Sequence, residues 1–106
     1  MTIQSPETAI LRYVVKPARL AEHLELLGQV YAALDALKPN SFSWATYRVE
    51  NSTEFIEVAT GSPLPGPLPT LAEFQRYRVG LEARCESRRY DAVAVLGSYG
   101  SHNGPA

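Results

Sequence analysis

Two charged or titratable side chains fall where a soluble domain normally keeps apolar ones. In the stretch from Pro69 to Cys85, a helix at 3.6 residues per turn puts Leu71, Phe74, Leu81 and Cys85 on one face, and Arg78 falls inside that face. An inward arginine asks for an anionic partner: a carboxylate of the same chain such as Glu54 or Glu57, a group on a neighbouring subunit, or an anionic ligand. His23 is the second such residue. Successive residues turn by about 100°, which places it among Leu20, Leu27, Val30 and Leu34 on the inward face of an earlier helix. An interior histidine with one ring nitrogen free can act as a general base near neutral pH, and one with both nitrogens engaged is a satisfied core group. Trp44, with Phe42 on the same side of a strand, and Phe74 and Tyr77 of the later helix are candidate contacts for a planar ligand or, equally, core aromatics. Cys85 reads as a small hydrophobe, and His102 sits in a polar tail.

The elements that must position these groups follow from pattern. Residues 1–8 are a loose polar end, and Ala9 to Val15 is rich in β-branched and aromatic residues and reads as a first strand. Pro17 suits the first turn of a helix from Ala18 to Lys38, which Pro39-Asn40 stops. Phe42 to Glu50 and Thr53 to Thr60 are strand-like runs joined at Asn51-Ser52, a hairpin. Four of the eight prolines lie between Gly61 and Pro69, which predicts an extended connection that serves as a spacer or as the rim of a pocket. Thr70 and Glu73 form a capping box for the second helix, and Arg84, Arg88 and Arg89 cluster at its far end as solvated, dipole-compensating charge. Tyr90 to Tyr99 reads as a fourth strand, followed by a tail at 101–106.

The order β-α-β-β-α-β predicts an α+β, ferredoxin-like domain: a four-stranded antiparallel sheet with two helices on one face, core about 9–100. Apolar residues alternate onto both sheet faces, so a second copy is expected to cover the face the helices leave bare, making a homodimer. With 106 residues the chain is one domain, and 20% charged residues at a net charge of -1 give no footprint for nucleic acid or an anionic membrane. One cysteine allows no internal disulfide, no stretch is apolar enough to span a membrane, and the N-terminus has no signal-peptide pattern, all of which suit the cytoplasm. No phosphate loop, nucleotide fingerprint or carboxylate metal cluster is present, so no cofactor and no metal are implied.

At the level of pattern the chain resembles the dimeric α/β-barrel superfamily, specifically the antibiotic-biosynthesis monooxygenase (ABM)-like domains. The resemblance covers residues 9–100 and rests on Ile10-Leu11-Arg12-Tyr13 with Lys16-Pro17 opening the helix, Thr53 to Glu57, the Phe74 helix and Val95-Leu96-Gly97-Ser98-Tyr99-Gly100. It implies two protomers packed sheet to sheet as a barrel, each with a cavity between sheet and helices. The haem-degrading branch calls for an asparagine on the first strand and a histidine on the second helix; here the strand offers Arg12 and that helix has no histidine. The resemblance then implies cofactor-independent oxygenation of a small electron-rich aromatic, with His23 as base, Arg78 holding the phenolate, and Trp44, Phe74 and Tyr77 contacting the ring. The competing expectation is a non-enzymatic homodimer that binds a small ligand or serves structure alone.

Overall fold

The computed structural model describes residues 6–100 of the chain. β1 (Glu7–Val15) begins two residues before the first strand expected from sequence, because Glu7 and Thr8 pair with Gly61 and Thr60 of β3 (Glu54–Gly61). A 3-10 turn at Pro17–Arg19 leads into α1 (Leu20–Leu37), which buries His23, Leu27 and Val30. Lys38 ends α1 in the left-handed conformation at φ 51°, its N–H reaching Leu34 O at 2.8 Å. β2 (Phe42–Arg48) and β3 form the expected hairpin, with a turn wider than Asn51-Ser52 alone. Val49 N–H donates to Glu54 O, and the Ser52 hydroxyl both donates to Val49 O and accepts from Glu54 N–H.

The four strands form one antiparallel sheet in the order β2-β3-β1-β4, with the helices on one face, which is the ferredoxin-like arrangement. Alternation sorts the two faces. Tyr13, Val15 and Phe55 point under the helices and are buried with Leu27, Val30, Leu68, Tyr77, Leu81 and Cys85. Ile10, Val14, Ile56 and Val58 point the other way and stay partly exposed, flanked by exposed Arg12 and Tyr47.

The second half of the chain departs from expectation in four places. The proline-rich connection is a run of tight turns, with Gly66 N–H to Pro63 O, Leu68 N–H to Pro65 O and Thr70 N–H to Pro67 O. The last of these closes a 3-10 turn, Leu68–Thr70, which carries the chain past Thr70 before the helix opens. The Thr70 hydroxyl therefore donates to Pro67 O at 2.6 Å and no capping box forms; Leu71 occupies the N-cap position of α2 (Ala72–Val79). The helix expected to reach Cys85 breaks at Gly80, and a single turn, α3 (Leu81–Arg84), follows. β4 (Cys85–Val93) starts five residues earlier than expected and stops at Val93, so Ala94 to Tyr99 is not strand. As an edge strand β4 needs only the main-chain ladder to β1, and charges such as Arg88 and Arg89 are what edges tolerate. The expected tail at 101–106, with His102, lies outside the described residues, as does most of the loose end at 1–8.

Two glycines predict opposite responses to alanine. Gly66 holds φ +63° and an added Cβ would sit 2.5 Å from the Phe42 ring, so Gly66→Ala should destabilise by roughly 1–3 kcal/mol. Gly28 is an exposed mid-helix position with open space around it, and Gly28→Ala should stabilise by up to about 1 kcal/mol. Urea unfolding of the two variants against wild type checks both signs.

Candidate active site

Register alone explains why the helix-covered face holds a cavity. Trp44 on β2 pairs with Ala59 on β3, Ala59 with Ala9 on β1, and Ala9 with Ala92 on β4, so three methyl groups lie in a row across the sheet beside one indole. The small side chains leave space that the eight-residue α2 does not fill. The result is an open cavity of about 1070 Å³, at the upper end of the size of small-molecule sites. Its floor includes that row with Leu11 and Glu57; Phe74 and Arg78 come from α2, and Leu64, Pro65 and Leu68 form a rim. The proline-rich connection thus walls the cavity, held in place where Glu7 Oε1 accepts from Leu64 N–H at 2.9 Å.

Glu57 stands one register row inward from the alanines, opposite Leu11 and Thr46, and is only 5% exposed. Its Oε2 accepts two phenolic protons, one from Tyr13 at 2.7 Å and one from Tyr77. Among the described residues Oε1 has no partner and is not sealed off, so it is the oxygen that Glu57 presents to the cavity it lines. Burial pushes the Glu57 carboxyl above the usual range, and the hydrogen bonds from Tyr77 and Tyr13, with the charge of Arg84, pull it back down. Burial and the neighbouring carboxylate raise both phenols well above their ordinary value, so they serve as donors.

Behind Glu57 the network continues away from the cavity. His23 Nε2 lies 3.0 Å from Tyr13 Oη, and Arg84 Nε lies 3.3 Å from His23 Nδ1. Because guanidinium only donates, Nδ1 must accept, which fixes the ring proton on Nε2 and makes Nε2–H the donor to Tyr13. Arg84 is 0% exposed; its Nη2 donates to Tyr77 O at 2.7 Å, and its guanidinium lies 5.3 Å from the Tyr77 ring centroid. No described carboxylate lies within ion-pair distance of it. Burial and then the nearby Arg84 charge lower the His23 pKa to about 4, so the ring is neutral at pH 7.

The structure sorts the candidates from sequence as follows. Arg78 is exposed at the cavity edge, unpaired with Glu54 or Glu57, and the interior cation is Arg84, which sequence reading had placed on the surface. The inward stripe runs Phe74, Tyr77, Leu81, Arg84, at spacings of three and four. His23 is buried as expected but does not line the cavity, and both ring nitrogens are engaged. Trp44 and Phe74 line the cavity edge to face, with centroids 6.2 Å apart, and Trp44 stacks on Tyr31 at 4.9 Å. Tyr77 is buried, with its hydroxyl on Glu57. Glu57, considered from sequence only as a partner for Arg78, and Tyr13 are the groups that reading undervalued; a carboxylate between Phe55 and Ala59 at inward parity was the available signal.

No family model and no curated protein sequence matches the chain. Solved structures do. An ABM-like protein from Bacteroides thetaiotaomicron superposes with a TM-score of 0.77 at 12% identity, over 92% of this chain and 96% of that one. The chain has the ABM-like fold. A similar protein from Nitrosomonas europaea gives a TM-score of 0.69 at 12% identity, over 94% of this chain and all (100%) of its own. A variant of SnoaB, a cofactor-independent oxygenase from Streptomyces nogalater, gives 0.68 at 15% identity, over 92% and 100% of the two chains. The ABM-like fold supplies the sheet and helices, and the network from Arg84 to Glu57 is read from this chain's own side chains.

The His23 environment has a pH signature. Its native pKa is lowered from 6.5 to about 4, so between those values the unfolded chain binds a proton that the native one does not. The resulting stability is complete above pH 6.5 and is lost as pH falls toward 4, by about 3 kcal/mol at most. Glu57, raised in the native state, acts with the opposite sign just above its ordinary range. Urea unfolding from pH 7.5 to 4 should show wild type losing stability relative to His23→Gln; parallel curves would contradict the assignment.

Proposed function

We propose that the protein is a cofactor-independent monooxygenase acting on a small electron-rich aromatic, with Glu57 as the acceptor of the substrate's phenolic proton. The observation that carries this reading is a carboxylate oxygen with no partner among the described residues, at the floor of an apolar cavity that the rings of Trp44 and Phe74 and the cation of Arg78 also line. A planar phenol lies against the Trp44 and Phe74 rings that line the cavity, with its hydroxyl on Glu57 Oε1, and Arg78 at the cavity edge holds developing oxyanion charge. His23 and Tyr77 act on the carboxylate from behind. The fold it shares with SnoaB, a cofactor-independent oxygenase, supports the reaction class.

The chemistry balances without an external reductant. Glu57 takes the phenolic proton, and the phenolate gives one electron to dioxygen, leaving a substrate radical and superoxide. These combine at the ring carbon that is CH₂ in the keto tautomer and, in the phenol, has already given up one hydrogen as the phenolic proton; a C–O bond forms there to give a peroxide, and the phenolic oxygen becomes a carbonyl. Glu57 returns its proton to the peroxide oxygen. Loss of the second hydrogen from carbon and cleavage of O–O then give a carbonyl and water. One oxygen atom enters the substrate, the other leaves as water, and all four electrons come from the carbon. Oxygen uptake with a panel of anthrones and hydroquinones tests this. Glu57→Gln should lower kcat at least about 100-fold with little change in KM. No uptake by wild type, or equal rates in the two proteins, would overturn it.

We also propose that the working unit is a cytoplasmic homodimer that closes the bare sheet face. Ile10, Val14, Ile56 and Val58 form an apolar surface there, and Leu96 and Tyr99, both 99% exposed, extend beyond β4. Among the described residues no helix is long and apolar enough to cross a membrane, and the only thiol of the sequence, Cys85, is free. Light scattering at micromolar concentration should give twice the 11.7 kDa chain mass, and Ile56→Lys should give a monomer. A wild-type monomer would contradict the proposal.

A further inference from the structure

We propose that Arg84 is the positioning residue of this site: through His23 it sets the direction of a hydrogen-bond chain that ends on Glu57. The inference rests on the reading of Glu57 as proton acceptor for its use, but the chain itself is a property of the free protein. The chain has four members and two self-consistent orders of protons. In one, His23 carries its proton on Nε2 and donates to Tyr13, whose own proton goes to Glu57 Oε2. In the other, His23 carries its proton on Nδ1, Nε2 accepts from Tyr13, and Glu57 loses one of its two phenolic donors. Distances of 3.0 Å and 2.7 Å at Tyr13 suit both orders.

Arg84 breaks the tie. A guanidinium at 3.3 Å from Nδ1 has no lone pair to receive a proton from it, so only the first order is allowed. Every donor then points from the buried cation toward the carboxylate, and Glu57 keeps both phenols on Oε2, which leaves Oε1 for the cavity. Arg84 is itself located by two further features. Its Nη2 is tied to Tyr77 O, and the missing side chain of Gly80 makes room for Nη1, which would lie 2.9 Å from an added Cβ. Titratable groups also face the chain from its surroundings: Tyr77 from α2, Cys85 from β4, and Glu22 one residue before His23 on α1.

The direction of the chain is measurable without a substrate. In ¹⁵N-histidine-labelled full-length protein, two-bond ¹⁵N–¹H correlation should show His23 as the Nε2–H tautomer at pH 7; the Nδ1–H tautomer in wild type would overturn the proposal outright. Arg84→Met should shift His23 toward Nδ1–H and raise the Glu57 carboxyl midpoint, followed by its side-chain ¹³C shift, by about one pH unit or more. Tyr13→Phe should raise the Glu57 midpoint likewise while leaving the His23 tautomer unchanged, which separates a directed chain from general loosening of the core. An unchanged Glu57 midpoint in a folded Arg84→Met would refute the role given to Arg84. If Arg84→Met does not fold, the wild-type tautomer together with Tyr13→Phe still decides. Oxygen uptake insensitive to Glu57→Gln, alongside the expected spectra, would remove the base and leave the chain standing.

Discussion

A buried positive charge, Arg84, with no carboxylate within ion-pair distance among the described residues governs the interior of this fold. Removing an ion from water costs several kcal/mol even after relaxation, and the debt must be met by hydrogen bonds, polarisable rings or a counter-charge at a distance. For Arg84 all three are present: Tyr77 O and His23 Nδ1 accept from it, the Tyr77 ring lies beside it, and Glu57 stands at the far end of the chain that His23 and Tyr13 complete. Removing any member leaves a buried polar group without its partner, the kind of loss that a tightly packed network tolerates least.

Much of the local structure follows from accommodating that charge. The break after α2 falls at Gly80, the position whose lack of a side chain admits the guanidinium, and β4 begins at once after Arg84. α2 stays short as a result, and the alanine row beneath it remains uncovered as a cavity. The same interaction that disrupts a regular helix therefore contributes to the space in which a ligand can bind. Glu57 belongs to both settings, with one oxygen in the network and one facing the cavity.

The fold was legible in the sequence because hydrophobic periodicity, Pro17, Pro39 and the hairpin signal are local features. Its strand and helix order needed nothing more. The boundaries that failed, at Gly80, Cys85 and Val93, depend on a tertiary demand, the seating of Arg84, and on an edge strand that carries no apolar alternation. The site was legible in part. The inward placement of His23, Tyr77, Phe74 and Trp44 was legible because position on a helix or strand face and residue type suffice for it, but only Trp44 and Phe74 line the cavity, while His23 and Tyr77 sit in the network behind Glu57. Arg78 was favoured over Arg84 because Phe74 and Leu81 are flanked at helical spacing by Arg78 and Cys85 on one side and by Tyr77 and Arg84 on the other, and periodicity alone does not choose between the two sides. Glu57 was seen as a counter-ion because the cation assigned to it was the wrong one, and its phenol partners come from elements 44 and 20 residues away in sequence.

The central claim is that Glu57 accepts a proton from a phenol bound in the cavity, and a non-oxidisable hydroxyanthraquinone reports that directly by absorbance. The account predicts that at pH 7 the bound dye shows the red-shifted spectrum of its ionised form in wild type and the neutral spectrum in Glu57→Gln. A dye that binds wild type and keeps its neutral spectrum, or that shifts equally in both proteins, would contradict it.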